Sequence, residues 1–344
     1  MKDGRGGRPT RAKPLPPHPG NVYRPFAELM QLETIDGETF RSIAPPFAPG
    51  GPVGVGRSYG AHVYAQAAYA ASKTVGEGFL LHVVQTIRDG KSYCTRAVNV
   101  TQSEGKGICF TCICSFKTAE PSHVEAQRPL DLWREYKSVL EDRSPNDFQE
   151  VPGMDLPFYW QRRKETGEND KFPGLQCHKV DMTNYNKSQH PIDRRQLIFY
   201  RTIGEMPADP NLHLAAHLYA SDRNSLYIVA NNFGLGDYWT QMSSLCHTVI
   251  FHSPMEALLF KPSSGEKSGL NDPTGRWFAF EGGGDRMGSG RTVFNCQLWN
   301  NDGTHVATAM QDGLLRLTKR IDATPEEKTE IERIMRGWGP RSKL

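Results

Sequence analysis

Asn211 to Asn224 reads NLHLAAHLYASDRN, and this stretch decides how the rest of the chain is read. Leu212, Leu214, Ala215, Ala216, Leu218, Tyr219 and Ala220 leave almost no polar face, so the spacing predicts a helix buried on most sides. Its alanines allow a sheet to approach closely. The run ends on Asp222, and a carboxylate is seldom buried unless it is capped, paired or used. Within Ser221-Asp222-Arg223-Asn224 the acid has two readings, a cap for the next segment or a catalyst.

Working outward, Gly60 to Lys73, GAHVYAQAAYAASK, repeats the pattern with the register kept. A shift of 150 positions puts Tyr69 on Tyr219, Ala70 on Ala220 and Ser72 on Asp222. A second echo follows. Arg96-Ala97-Val98 stands before a glycine turn and the run Cys109 to Phe116, as Arg291-Thr292-Val293 stands before Asn301-Asp302-Gly303 and His305 to Gln311. Two copies of one unit is the economical reading.

The 344 residues suffice for two compact domains or one large one. No apolar run approaches the roughly 18 residues that suggest a membrane span. Lys2, Arg5, Arg8, Arg11, Lys13 and Arg24 against Asp3 put +5 of charge in residues 1–25, which leaves −2 of the chain's +3 for the rest. That near-neutral body argues against a nucleic-acid surface. The first 25 residues, rich in Pro, Gly and Arg without hydrophobic period, read as a disordered tail. Seven cysteines without an apolar leader predict reduced thiols rather than a disulfide framework. Cys109, Cys112 and Cys114 lack a second ligand pair at zinc spacing and read as part of a buried strand, so no metal is expected. His213 and His217 stand four apart, but HLAAH lacks the glutamate of a HExxH site, and satisfied histidines are the better reading.

Along the chain, residues 26–118 form the first unit. A strand around Asp36-Gly37 precedes its helix, and strands Phe79 to Ile87, Ser92 to Gln102 and Ile108 to Phe116 follow it, with Asp89-Gly90 as a hairpin turn. Residues 119–190 read as a connector that packs on the body. Within it Arg162-Arg163-Lys164 meets phosphates or forms a solvated helix face balanced by Glu165 and Glu168. Residues 191–320 form the second unit, with strands at Gln196 to Ile203, Ser243 to His252, Arg276 to Glu281, Arg291 to Trp299 and His305 to Leu317. The second unit has two strands between helix and final hairpin where the first has one. A strand is therefore missing from the first copy, which leaves an unfilled position or an exposed edge. Residues 321–344 hold a charged tail helix, Thr324 to Met335, and the C-terminal tripeptide Ser342-Lys343-Leu344.

LYASD, SSLCH and MQDG in that order resemble the acyl-CoA thioesterase II family, including its peroxisomal members. The likeness covers about residues 28–118 and 192–318 and implies an α+β double hot-dog, two antiparallel sheets each wrapped round a long central helix. Carried over motif by motif, it implies Asp222, Ser244 and Gln311 as the hydrolytic site. The chain departs from the family in the strand missing from its first copy, in Gly60-Ala61 where a Gly-Gly is common, and in Cys246 where an Asp is common.

Thioester hydrolysis needs an activated water, a grip on it, and donors for the oxyanion. Asp222 takes the water's proton while Ser244 and Gln311 orient it. Backbone amides at a helix start, near Gly60-Ala61, meet the oxyanion and hold substrate. Each residue also has a bland reading, Ser244 as a strand serine and Gln311 as a strand-end residue, and only their joint occurrence favours the site. Neither a Gly-x-Ser-x-Gly elbow nor a Cys with a His–Asp pair is present. The expected activity is hydrolysis of acyl-CoA to fatty acid and CoA, without cofactor. Two rivals are a non-catalytic acyl-CoA binder with a truncated first unit, and an enoyl-thioester dehydratase that needs a His paired with an acid. Ser342-Lys343-Leu344 is a tripeptide of the kind read by the peroxisomal import receptor, so a matrix location is expected. The resemblance further implies association into a homo-oligomer.

Overall fold

Two helices, Gly60–Ser72 and Pro210–Ser221, lie antiparallel along one another at the centre of the computed structural model. It describes residues 24–49, 58–83, 92–102, 107–127, 131–167, 172–260, 276–317 and 324–335. The second long helix starts where Pro210 stands at its first position and the Asp209 side chain accepts from the Asn211 amide, a capping arrangement of about 1 kcal/mol. From Leu212 to Ser221 every residue is buried, which the lack of a polar face demanded. Small side chains let the two helices touch. Tyr59 Oη donates to the Tyr219 carbonyl at 2.7 Å, and Tyr59, Phe172 and Tyr219 pack their rings edge to face.

Twelve strands are described: β1 (Leu32–Thr34), β2 (Phe40–Ser42), β3 (Leu80–Val83), β4 (Tyr93–Thr101), β5 (Ile108–Lys117), β6 (Gln149–Glu150), β7 (Leu175–Lys179), β8 (Gln196–Thr202), β9 (Trp239–Phe251), β10 (Phe278–Gly288), β11 (Arg291–Asn300) and β12 (His305–Leu317). Ten of them form one antiparallel sheet in the order β4-β5-β3-β9-β12-β11-β10-β8-β7-β6. The sheets of the two units are continuous through a single pairing, Val83 with Ile250. One face packs on both helices. Phe116, Val249, Phe280, Cys296 and Ala309 join Ala65, Ala68, Ala215 and Leu218 in one core, each large apolar side chain contributing about 1.5–3 kcal/mol. This is the α+β double hot-dog.

The units differ in strand number. In the second, β10 stands between β11 and β8; in the first, β4 ends the sheet and no described strand lies beyond it. The β1–β2 hairpin, turned at Asp36 by hydrogen bonds from the Glu38 and Thr39 amides, therefore forms its own two-stranded sheet. It leans on the first long helix, where Gln66 Nε2 donates to the Leu29 carbonyl and to Ser42 Oγ. The turn expected at Asp89-Gly90 lies outside the described residues.

The connector does more than cover the body, because β6 and β7 extend the sheet beyond β8. Tyr136, Leu140 and Phe148 pack with Phe199, Ala279 and Trp299 on the sheet's other face. Ile198 and Tyr200 point into the main core while Leu197 and Phe199 point into this second one, so β8 is buried on both faces. That explains its continuous apolar run. Within Arg162-Arg163-Lys164, Arg163 donates to the Glu150 carbonyl and lies over the Trp160 ring. Among the described residues no helix is long and apolar enough to cross a membrane.

Candidate active site

Asp222 caps the C-terminus of the second long helix, and the chain then bends sharply into a second helix, Ser225–Asn232. Asn224 adopts a left-handed conformation, φ 63°, at the bend, which asparagine tolerates better than most residues. Arg223 pins the elbow. Its buried guanidinium donates to the carbonyls of Gly153 and Pro152 and stacks 4.1 Å from the centre of the Phe172 ring.

The Asp222 carboxylate turns toward the first unit. Oδ2 accepts from the Ala61 amide at 3.2 Å; Oδ1 accepts from Ser225 Oγ at 2.9 Å and from Gln311 Nε2 at 2.7 Å. A carboxylate at a helix N-terminus meets unpaired N–H groups and the positive end of the helix dipole. The approach is close, for a Cβ on Gly60 would stand 3.4 Å from Oδ2. Of Gly60-Ala61, expected to serve the oxyanion, the Ala61 N–H is taken up by Asp222.

Gln311 lies on β12 and is almost wholly buried, while Ser244 lies on β9 and is exposed. Three positions separate Ser244 from His247, and in a flat strand their side chains would face opposite ways. A bulge at Leu245 removes the conflict: Gln311 pairs with His247 and Asp312 with Cys246, but Gly313 pairs with Ser244. Ser244 is so turned onto the face that carries Gln311. Gln311 Nε2 donates to Ser244 Oγ at 2.6 Å as well as to Asp222. Both hydrogens of that amide are used, and the hydroxyl proton of Ser244 is left to donate elsewhere. Gly313 in turn has no room for a side chain, since a Cβ there would come 2.5 Å from Leu226.

The structure therefore brings Asp222, Ser244 and Gln311 together and sets Gly60-Ala61 beside them. Ser342-Lys343-Leu344 lie outside the described residues. Sequence reasoning missed Ser225, Ser221 and His247. Ser225, three residues beyond an acid at a helix end, was the one with a local signal; Ser221 Oγ and His247 Nε2 stand 2.8 Å apart. The HLAAH histidines are saturated by neighbours, His213 by the Pro207 carbonyl and the Phe260 amide, His217 by Tyr200 Oη and the Leu258 carbonyl. Burial pushes the His217 pKa down to about 3. Cys112 and Cys114 are buried in β5 with sulfurs 3.8 Å apart. Among the described residues no group of three His, Cys, Asp or Glu is placed to hold a metal ion.

The acyl-CoA thioesterase C-terminal domain model matches residues 161–315, a range that contains the elbow, β8 to β11, most of β12 and all three converging side chains. Acyl-coenzyme A thioesterase 8 of Homo sapiens is 22% identical over 317 residues, covering 85% of this chain and 89% of the relative. Acyl-CoA thioesterase 2 of Haemophilus influenzae is 22% identical over 323 residues, covering 87% and 99%. The chain is thus similar to acyl-CoA thioesterases along most of its length. Its fold is that of solved relatives. An acyl-CoA thioesterase II from Mycobacterium marinum superposes with a TM-score of 0.58 at 20% identity, covering 87% of this chain and 99% of that one. A hot-dog protein from Alicyclobacillus acidocaldarius does so at 0.53 and 14% identity, covering 86% and 100%. Although the first unit's sheet is shortened, its long helix still delivers a backbone amide to the acid of the second.

Proposed function

We propose that the protein hydrolyses acyl-CoA thioesters to free fatty acid and CoA by attack of a water activated by Asp222. The observation that carries the reading is the Gln311 amide, which bonds Asp222 Oδ1 at 2.7 Å and Ser244 Oγ at 2.6 Å and so ties an acceptor for a proton to a hydroxyl that orients water. Asp222 accepts one proton from the water as its oxygen adds to the thioester carbonyl carbon. The tetrahedral oxyanion then collapses, the C–S bond breaks, and the proton held on Asp222 passes to the departing thiolate. Ser244 and Gln311 fix the water and acid relative to each other, and no covalent intermediate is required. The Ala61 amide supports the ionised acid from the first helix. A dehydratase reading finds no support, because neither His62 nor His247 is hydrogen-bonded to an acid among the described residues.

The test is thiol release from acyl-CoA by purified protein. The expected result is turnover by wild type and loss of about 10³-fold or more in Asp222→Asn; equal rates in the two would remove the site. Binding of acyl-CoA without turnover by the wild type would favour the non-catalytic reading. A peroxisomal matrix location is part of the same proposal, supported by Ser342-Lys343-Leu344. A fluorescent fusion that keeps this tripeptide free should collect in peroxisomes, and its deletion should leave the fusion dispersed.

A further inference from the structure

Ser221 Oγ makes two close contacts, with the Leu218 carbonyl at 2.8 Å and with His247 Nε2 at 2.8 Å. Both available protons find acceptors in only one arrangement: the hydroxyl donates to Leu218, and the imidazole N–H at Nε2 donates to Ser221 Oγ. The reverse would leave a proton on Nδ1, which is buried and has no partner among the described residues. His247 stands opposite Gln311 in the β9–β12 register, and the Tyr64 ring of the first long helix meets it edge-on at 5.5 Å. Burial pushes its pKa down against the opposing pull of Asp222, which keeps the ring neutral near pH 7.

These contacts tie the end of a helix to the strand pair that carries the rest of the site. Ser244 and His247 share β9, Gln311 lies across from His247, and Ser221 directly precedes Asp222. A helix end is the part that frays. We propose that His247 is a positioning residue for the thioesterase reaction: its Nε2–H holds Ser221, and with it the last turn of the helix, where Asp222 meets Gln311 and Ser244. The proposal rests on the catalytic reading of Asp222. Misplacement of a reacting group by about 1 Å costs on the order of 10²-fold in rate.

The experiment compares His247→Leu, His247→Gln, Ser221→Ala and the Ser221→Ala/His247→Leu double variant with wild type in kcat, KM and Tm, with Asp222→Asn in parallel. Leucine removes the donor; the glutamine amide restores one at the place of Nε2. Expected are a fall in kcat of about 30-fold for His247→Leu with KM changed less than about threefold, recovery of most of that loss in His247→Gln, and a comparable fall in Ser221→Ala. The double variant should lose no more than the weaker single, because both cut the same link. Ser221→Ala keeps a good helix former at its position, so it tests the link even where the histidine variants lower Tm. Wild-type kcat in Ser221→Ala and His247→Leu beside an inert Asp222→Asn would overturn the positioning role and leave the acid in place. Asp222→Asn at the wild-type rate would instead remove the reading on which it rests. His247→Gln no better than His247→Leu would likewise overturn the role of the donated proton.

Discussion

The two ends of the central helix pair are related by the internal repeat, and they differ in chemistry. At one end Asp222 closes the second helix and accepts from the Ala61 amide, Ser225 and Gln311, all uncharged donors. At the other, Lys73 closes the first helix and donates to Asp209 at 2.6 Å, with Tyr69 Oη donating to the same oxygen at 2.9 Å and the ammonium lying over the Tyr69 ring. Ser72, at the place corresponding to Asp222, turns back to the Tyr69 carbonyl. Burial alone would raise the Asp209 pKa, but the bonds from Lys73 and Tyr69 outweigh it and hold the carboxyl below its usual range. One end is thus sealed as an ion pair. The other keeps an acid held by neutral groups next to an exposed serine. The same scaffold makes a clamp from one copy and a candidate catalytic site from the other.

The helices differ in their histidines too. His213 and His217 on the second find partners at both ring nitrogens, whereas the His62 ring on the first is fully buried with none among the described residues. Burial pushes its pKa down to about 4. The shortened unit therefore carries a polar group that its surroundings do not use.

Four substitutions break or sharpen this contrast. Gln311→Ala removes the bridge between acid and hydroxyl and should lower kcat about 10²-fold, read by thiol release, with Tm little changed. Ser244→Ala keeps the acid and its amide and should lower kcat about tenfold; a larger loss than Gln311→Ala would mean that the hydroxyl and not the amide organises the site. His62→Leu should leave turnover intact and raise stability by about 1–2 kcal/mol, since an unpartnered buried polar group is replaced by an apolar one. It should also flatten the acid limb of the stability curve. The unfolded histidine takes up its proton near its ordinary value of 6.5 and the folded one only near about 4, so stability present above pH 6.5 is lost as pH falls through that window. Thermal melts between pH 7 and 4 read both effects. Smallest of all, Asp209→Asn keeps a good helix cap but removes the ion pair. Lys73 is partly exposed and solvent screens the pair, so the expected loss is about 1 kcal/mol or less at pH 7. It should vanish below the folded Asp209 pKa, because a depressed carboxylate stabilises only while ionised.

Much of this was legible in the sequence. The apolar run around Leu214 and Leu218 gave the buried helix, the echo at Tyr69 gave its partner, and three short motifs gave the converging side chains. What stayed hidden was non-local. Spacing alone sets Ser244 and His247 on opposite faces, and only the bulge at Leu245, visible through its pairing with β12, puts them on one. Nothing near Asp222 in sequence indicates that it caps a helix from 161 residues away. The mixed composition of residues 119–190 concealed β6 and β7, which are short and depend on β8 for a template. The lone pairing of Val83 with Ile250, which runs the two sheets together, likewise has no local signature.

The claim that Asp222 activates a water, and does not itself attack the thioester, is tested most directly by a single turnover in ¹⁸O-labelled water with enzyme in excess over acyl-CoA. Attack by water predicts a fatty acid that carries one ¹⁸O from the first turnover, with no protein species heavier by the acyl group. First-turnover acid without label, with the ¹⁸O carried instead on the enzyme's carboxylate, would contradict it.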